Sequence, residues 1–324
     1  MTFIKAKTDG SLAIFGAGLT ATALPFSDLI ASLRTAFTDG AEVPLRHHHE
    51  IPQKDGDHAT LLLMPAWQQD GVLGVKIVTV FPGNTNKGLP GLHSTYLLSD
   101  ATTGQHLAII DGNQITVRRT VGVSALAASF LARPDSERLL LVGSGRVASL
   151  AAEAFLEVLP IKTVEVWDID ASSAKRLVET LNSKGIAATV AEDLEAATRS
   201  ADVISCATLS KKPLIEYHWL KNGAHLDLIG SFTPEMCEAD ESCFRHGQVF
   251  IDTPDALKES GDLLGPLKSG AINLDSIVGT LSDLCQGKVP GRATPDEITV
   301  FKAVGSGLAD IAAGSLAYRN LTAG

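Results

Sequence analysis

No apolar run among the 324 residues approaches the ~20 needed to span a bilayer, and the opening residues lack the pattern of a secretory signal. A cytoplasmic protein with no membrane partner is expected. Cysteine is scarce: Cys206, Cys237, Cys243 and Cys285 form no CxxC pair, so reduced thiols are expected and a structural zinc is not. Positive charge is short as well. Against 37 Asp and Glu stand 27 Lys and Arg, a formal charge of −10, and no local Lys/Arg cluster reverses it. That disfavours a nucleic-acid partner, and an anionic substrate would have to be met by a few placed cations. The one histidine run, His47-His48-His49, does not make a metal site, because neighbouring residues on a strand point to opposite faces and no Asp, Glu or Cys at ligand spacing completes a set. Internal repeats and low-complexity tracts are absent.

What is present is a chain with 45% hydrophobic and 20% charged residues, able to build a sizeable interior and long enough for two domains. Its organising stretch is Glu137-Arg138-Leu139-Leu140-Leu141-Val142-Gly143-Ser144-Gly145-Arg146-Val147-Ala148. Four apolar residues make a buried strand, a glycine turn follows, and apolar residues then recur at Val147, Leu150, Ala151, Ala154, Phe155 and Val158, one helix face. Gly143 permits the tight turn, Gly145 lets the backbone approach a pyrophosphate, and Ala148 lets helix and strand pack closely. The phosphates would meet Gly143, Ser144, Gly145, Arg146 and Val147, where unpaired N–H groups and the helix dipole favour negative charge. A second strand, Thr163 to Trp167, is followed by Asp168, twenty residues beyond Ala148, where an acid binds a ribose 2′-hydroxyl. This predicts a dinucleotide site for NAD(H). NADP(H) stays open, because Lys175 or Arg176 could reach a 2′-phosphate.

Before Ile115 the chain reads as sheet-rich. Leu29, Ile30, Leu33, Ala36 and Phe37 predict a helix capped near Ser27, and Ala59 to Met64, Gly74 to Val80, Ser94 to Leu98 and His106 to Asp111 predict strands of a meander or partial barrel. After it, an Ala-rich helix over Val121 to Leu131 leads into alternating strands and helices, which implies parallel strands with helical crossovers. Cys206-Ala207-Thr208 ends one of these strands, at the edge of the coenzyme crevice. Pro295-Asp296-Glu297 reads as the start of a long Ala/Gly helix reaching Tyr318.

Three cations in the first half stand out. Lys76 lies in Leu73-Gly74-Val75-Lys76-Ile77-Val78, so it must face a polar cavity, be neutralised, or lie on an edge strand in solvent. Arg46 and Arg119 could each grip a carboxylate through a bidentate fork, or be ordinary surface arginines. His93 is a second proton-donor candidate, or a plain turn histidine.

The ordered set of Arg46, Gly74-Val75-Lys76, Phe81-Pro82-Gly83-Asn84, Arg119-Thr120, Gly143-Ser144-Gly145, Ile229-Gly230-Ser231-Phe232-Thr233-Pro234-Glu235-Met236 and Thr299-Val300-Phe301-Lys302-Ala303-Val304-Gly305 resembles the ornithine cyclodeaminase/mu-crystallin family over nearly the whole chain. The resemblance implies an α/β subunit of two domains: a Rossmann NAD(P)-binding domain over 117–302, and an α+β substrate and dimerisation domain made by 1–116 with the C-terminal helix, 303–324. It implies a homodimer. It also implies that Arg46, Lys76 and Arg119 surround the substrate carboxylate and the reacting carbon, and that Ser231, Gly305, Ser306 and Gly307 lie near the nicotinamide. Cyclodeaminases of the family place an aspartate where this chain has Phe232, and an aromatic ring cannot accept the proton of an attacking amine. The expected substrate is therefore a small carboxylate-bearing imine that arrives already cyclised, Δ1-pyrroline-2-carboxylate or Δ1-piperideine-2-carboxylate, reduced to L-proline or L-pipecolate. The alternatives are an ornithine cyclodeaminase, an alanine-type amino-acid dehydrogenase, and a non-catalytic NAD(P)H-dependent binding protein of mu-crystallin type.

Overall fold

The computed structural model describes residues 12–54 and 58–322. The segment before Leu12, read above as carrying no secretory signal, lies outside the described residues. The chain divides into two compact units, residues 1–119 with 306–324 and residues 120–305. The borders expected at 116/117 and 302/303 thus fall at 119/120 and 305/306, which leaves Arg119 in the first unit.

In the first unit six strands form one sheet: β1 (Ala13–Phe15), β2 (His47–Ile51), β3 (Ala59–Trp67), β4 (Val72–Val80), β5 (Leu92–Asp100) and β6 (His106–Asp111), in the order β1-β6-β5-β4-β3-β2. Strands β3 to β6 are the antiparallel meander that turn residues and alternation predict; β2, not among the strands expected from the sequence, pairs antiparallel with β3, and β1 adds to the far edge parallel to β6. The period of two is plain in β4, where Val72, Gly74, Lys76 and Val78 are buried while Leu73, Val75 and Ile77 face the other way. Helix Gly307–Thr322 packs on the buried face and also against helix Phe26–Asp39. Every residue of it from Gly307 to Tyr318 is buried, which explains its Ala/Gly composition: small side chains let it lie close to the sheet. A Cβ on Gly314 would come within 2.4 Å of the Tyr96 ring, and one on Gly74 within 1.8 Å of the Tyr96 hydroxyl, so the two glycines make room for that side chain.

The second unit carries β7 (Arg138–Val142), β8 (Thr163–Trp167), β9 (Ala188–Val190), β10 (Val203–Cys206), β11 (Lys211–Ile215), β12 (His225–Leu228), β13 (Cys237–Ala239), β14 (Gln248–Ile251), β15 (Ile277–Thr280) and β16 (Thr299–Lys302). Eight of these make a wholly parallel sheet in the order β15-β14-β16-β12-β10-β7-β8-β9, and β11 pairs with β13 apart from it. Strands β10, β12 and β16 are buried at every position, as expected where both faces of a parallel sheet are covered. From β7 the chain steps to β8 on one side and later to β10 on the other, so the switch point lies between the C-terminal ends of β7 and β10. Among the described residues no helix is long and apolar enough to cross a membrane.

Three local expectations are corrected. Helix Phe26–Asp39 starts after Pro25, with no side-chain cap, so Ser27 sits inside its first turn. The Ala-rich helix runs Gly112–Leu131, well ahead of Val121: Asp111 Oδ1 accepts the Gln114 amide at 2.7 Å, and this cap starts the helix where the sequence shows no apolar period. Pro295-Asp296-Glu297 starts no helix. The residues beyond it become the inner strand β16, and the helix begins at Gly307; four successive buried residues erase the alternation that would have announced a strand.

Candidate active site

The coenzyme side is built entirely within the second unit. A cavity of about 430 Å³ opens at the switch point, lined by Gly143, Ser144 and Gly145 after β7, Trp167, Asp168 and Ile169 at the end of β8, and Ala207, Thr208, Leu209 and Ser210 after β10, with Leu214. Gly143 has φ +102°, and a Cβ there would stand 2.8 Å from the Ala207 carbonyl oxygen, so the turn admits only glycine. Gly145 faces open space where a side chain would otherwise intrude, at the entry to helix Ala148–Leu156. Asp168 accepts from the Ser144 amide at 2.8 Å and the Ser144 hydroxyl at 2.6 Å through Oδ2, and from the Asp170 amide at 2.9 Å through Oδ1. Its carboxylate is thereby fixed at the cavity wall before any ligand arrives. A dinucleotide fits this donor set: open backbone at a helix N-terminus for the pyrophosphate and an oriented acid for the ribose. Arg176 bonds Ser172 and Ser173 and pairs with Asp170 at 3.6 Å, so it is engaged at the start of its own helix.

The cation cluster lies within the first unit. Lys76, on the buried face of β4, is 2% exposed, and its Nζ stands 2.6 Å from Asp310 Oδ2. Arg119 donates from Nε to Asp310 Oδ1 at 2.9 Å. One fully buried carboxylate from helix Gly307–Thr322 thus bridges an amine and a guanidinium that come from a strand and from a different helix. Tyr96, directly across from Lys76 in the β4/β5 register, completes the group. Burial pushes the Lys76 ammonium down to about 8, helped by the charges of Arg119 and Arg46, while Asp310 opposes the fall. Burial alone would raise Asp310, but Lys76 and Arg119 outweigh it and hold the acid below its usual range. Burial and the Asp310 charge raise the Tyr96 phenol, which stays neutral.

Sequence reasoning thus placed Lys76 and Arg119 together and missed Asp310 and Tyr96. Asp310 had a signal, a lone acid in Gly307-Leu308-Ala309-Asp310-Ile311-Ala312-Ala313, the same kind of anomaly as Lys76 in its strand. Arg46 is half-buried just before β2, and its charge lowers Lys76 less than that of Arg119 does. His93 does not: it is exposed in β5 opposite Thr79, on the face away from Lys76.

Not every residue expected at the coenzyme lines the switch-point cavity. Cys206 is fully buried in the core, its thiol pushed up by burial and the nearby Glu238, so only Ala207 and Thr208 of that trio line the cavity. Ser231 is likewise buried, with its hydroxyl spent on the Met236 carbonyl, Ser260 and the Asp262 amide. Ser306 is buried and its hydroxyl accepts from the Ala309 amide in the first turn of its helix. The Gly305 amide donates to Asp252 at 2.7 Å. Arg146 is exposed and Val147 half-buried; neither is among the cavity-lining residues. Phe232 is 47% exposed in the loop after β12. Among the described residues no group of three or more His, Cys, Asp or Glu is placed to hold a metal ion.

A family model described as the ornithine cyclodeaminase/mu-crystallin family matches residues 10–324. A Δ1-pyrroline-2-carboxylate reductase of Paracoccus denitrificans is 38% identical over 292 residues, 87% of this chain and 92% of that protein. Among solved structures, the Thermococcus litoralis Δ1-pyrroline-2-carboxylate reductase in complex with NADH and L-proline superposes with a TM-score of 0.89 at 31% identity, covering 95% of this chain and 97% of that one. An archaeal alanine dehydrogenase dimer with bound NAD also reaches 0.89, at 27% identity and 96% of each chain.

Proposed function

The chain belongs to the ornithine cyclodeaminase/mu-crystallin family, and on that premise we propose that it reduces a small cyclic imino acid, a five- or six-membered ketimine carboxylate, with NADH. It is an NAD(H)-binding oxidoreductase acting on C=N bonds. The observation that carries the finer reading is the buried Lys76–Asp310–Arg119 group. Two cations sharing one acid leave a positive charge over, which is the balance a substrate carboxylate would complete.

The bound coenzyme would supply a hydride to the imine carbon. Arg119 reaches Asp310 through Nε, which leaves the edge formed by its two terminal nitrogens for a bidentate grip on a carboxylate, with Arg46 as a second hold. Lys76, titrating at about 8, carries a proton at neutral pH and can release it to the imine nitrogen as that nitrogen becomes an amine. One hydride on carbon and one proton on nitrogen balance the reduction. Asp168, held by Ser144 with Asp170 beside it, would take the ribose hydroxyls and repel a 2′-phosphate, which favours NADH.

The test is nicotinamide oxidation with freshly made Δ1-pyrroline-2-carboxylate and Δ1-piperideine-2-carboxylate, set against pyruvate plus ammonia and against ammonia release from ornithine. Faster turnover of pyruvate plus ammonia would move the protein to the alanine dehydrogenase type, whose structural likeness is equally high. Tight NADH binding with no turnover of anything would make it a binding protein. Asp168→Ser should shift the kcat/KM ratio of NADH over NADPH toward NADPH by about 10-fold or more, as one charged contact of ~1.5–3 kcal/mol is exchanged; an unchanged ratio removes Asp168 from the ribose site.

We also propose a homodimer. The outer face of the six-stranded sheet presents Leu61, Leu63, Leu73, Val75, Ile77, Leu97 and Ile109 side by side in register, an apolar surface that a second copy would cover. Light scattering should give the mass of two chains, and Ile77→Asp, on that face, should halve it.

A further inference from the structure

Burial above all works to strip Lys76 of its proton, and two neighbouring cations add to it. Arg119 faces it from helix Gly112–Leu131, Arg46 adds a second positive field from the segment before β2, and Tyr96 lies opposite on β5 with a buried, neutral phenol. Against them stands Asp310 from helix Gly307–Thr322. It is fully buried, and it touches Lys76 Nζ at 2.6 Å and Arg119 Nε at 2.9 Å. We infer that Asp310 is the positioning residue that keeps Lys76 an ammonium and turns Arg119 so that its terminal nitrogens stay available to an anion. This rests on the reading of Lys76 as the proton source of an imine reduction.

The geometry separates this role from plain packing. From Gly307 to Ala317 the helix otherwise carries only Ala, Gly and aliphatic residues apart from Ser315, and a buried acid there stabilises the fold less than an aliphatic side chain would unless its charge is used. Among the described residues the Asp310 carboxylate bonds no backbone amide of a neighbouring segment, and both its oxygens go to the two cations. Take the acid away, and two like charges remain within a dry interior. Arg119 cannot give up its proton, so Lys76 must. The neutral amine that results can neither donate a proton nor help balance a carboxylate.

The experiment follows the ammonium itself. Protein labelled with 13C at lysine Cε is titrated by NMR, and the Lys76 signal is identified by its loss in Lys76→Met. In the wild type the midpoint should lie near 8. In Asp310→Asn it should fall by about one to three pH units, a tenfold to thousandfold change in the acid constant, while Asp310→Glu keeps it near the wild-type value. The alkaline limb of kcat/KM for the imine should move down with it; protonation of the substrate itself is common to both proteins and cancels from the difference. A structural role alone would lower kcat/KM at every pH without moving the limb. Should Asp310→Asn fail to fold, Arg119→Gln serves with the sign reversed: with one cation gone and Asp310 present, the midpoint must rise. An unmoved midpoint in a folded variant overturns the inference. If the midpoint moves and neither protein reduces an imine, the charge-setting role stands and the reading of the reaction falls.

Discussion

Lys76→Met lowers kcat/KM for imine reduction by about 10²–10⁴-fold, the span a positioned proton donor contributes. Methionine nearly matches the lysine stem in length and keeps the contacts of β4 with its covering helix, so the fold survives. Asp310 and Arg119 are left as a balanced pair. NADH binding is unaffected, because every cavity-lining residue of the coenzyme crevice, from Gly143 to Leu214, belongs to the second unit. Both quantities are read on one preparation, the rate by loss of nicotinamide absorbance and the affinity by fluorescence titration. A variant that reduces the imine within a few-fold of wild type would take Lys76 out of the chemistry, and a parallel loss of NADH affinity would mean that the substitution acts through the fold.

Lys302→Met costs about 3–5 kcal/mol of stability, the range for removing one partner from buried charges. The Lys302 ammonium stands 3.4 Å from Asp262 Oδ2 with both side chains fully buried, and its field also reaches the buried Glu238 and Asp227. These acids hold the unit together beneath the crevice. Glu238 takes the Thr208 amide and hydroxyl with one oxygen and the Gly230 amide with the other, and Asp262 takes the Glu238 and Ala239 amides. Burial already pushes Glu238 up and lifts Asp227 to about 7, with Lys302 pulling both the other way. Without the ammonium their folded-state values climb further above the ~4 of the unfolded chain. A carboxyl with a raised folded pKa loses stability as pH climbs from the unfolded value to the folded one. The deficit should therefore be small near about pH 5 and largest near about pH 8. Urea midpoints of wild type and variant at the two pH values decide it, and a deficit that is absent or equal at both would contradict this account.

The coenzyme half was legible because its parts are local. Gly143, Gly145 and Asp168 sit within one strand, turn, helix and strand, and the backbone rules that link such a unit act over a few residues at a time. The parallel strands followed from the same alternation, except β15 and β16, the latter with four buried residues that carry no period. Local pattern did not fix which way a side chain points. Cys206 and Ser231 stand at the right points of the chain, yet a strand end and a turn can each aim a side chain inward or outward, and packing chose inward for both.

From the amino-acid order alone came the doubly wound unit, the acid at the end of that unit's second strand, the meander, and the oddity of a lysine among aliphatic neighbours. Those rest on period, turn chemistry and spacing, which neighbouring residues define among themselves. Only the tertiary structure decided how that lysine is tolerated. Its counter-charge lies on the last helix, and the same acid meets Arg119 across 191 residues of chain. Burying a charge demands an opposite one within a few ångströms in space, and no rule of local sequence says which distant residue will supply it.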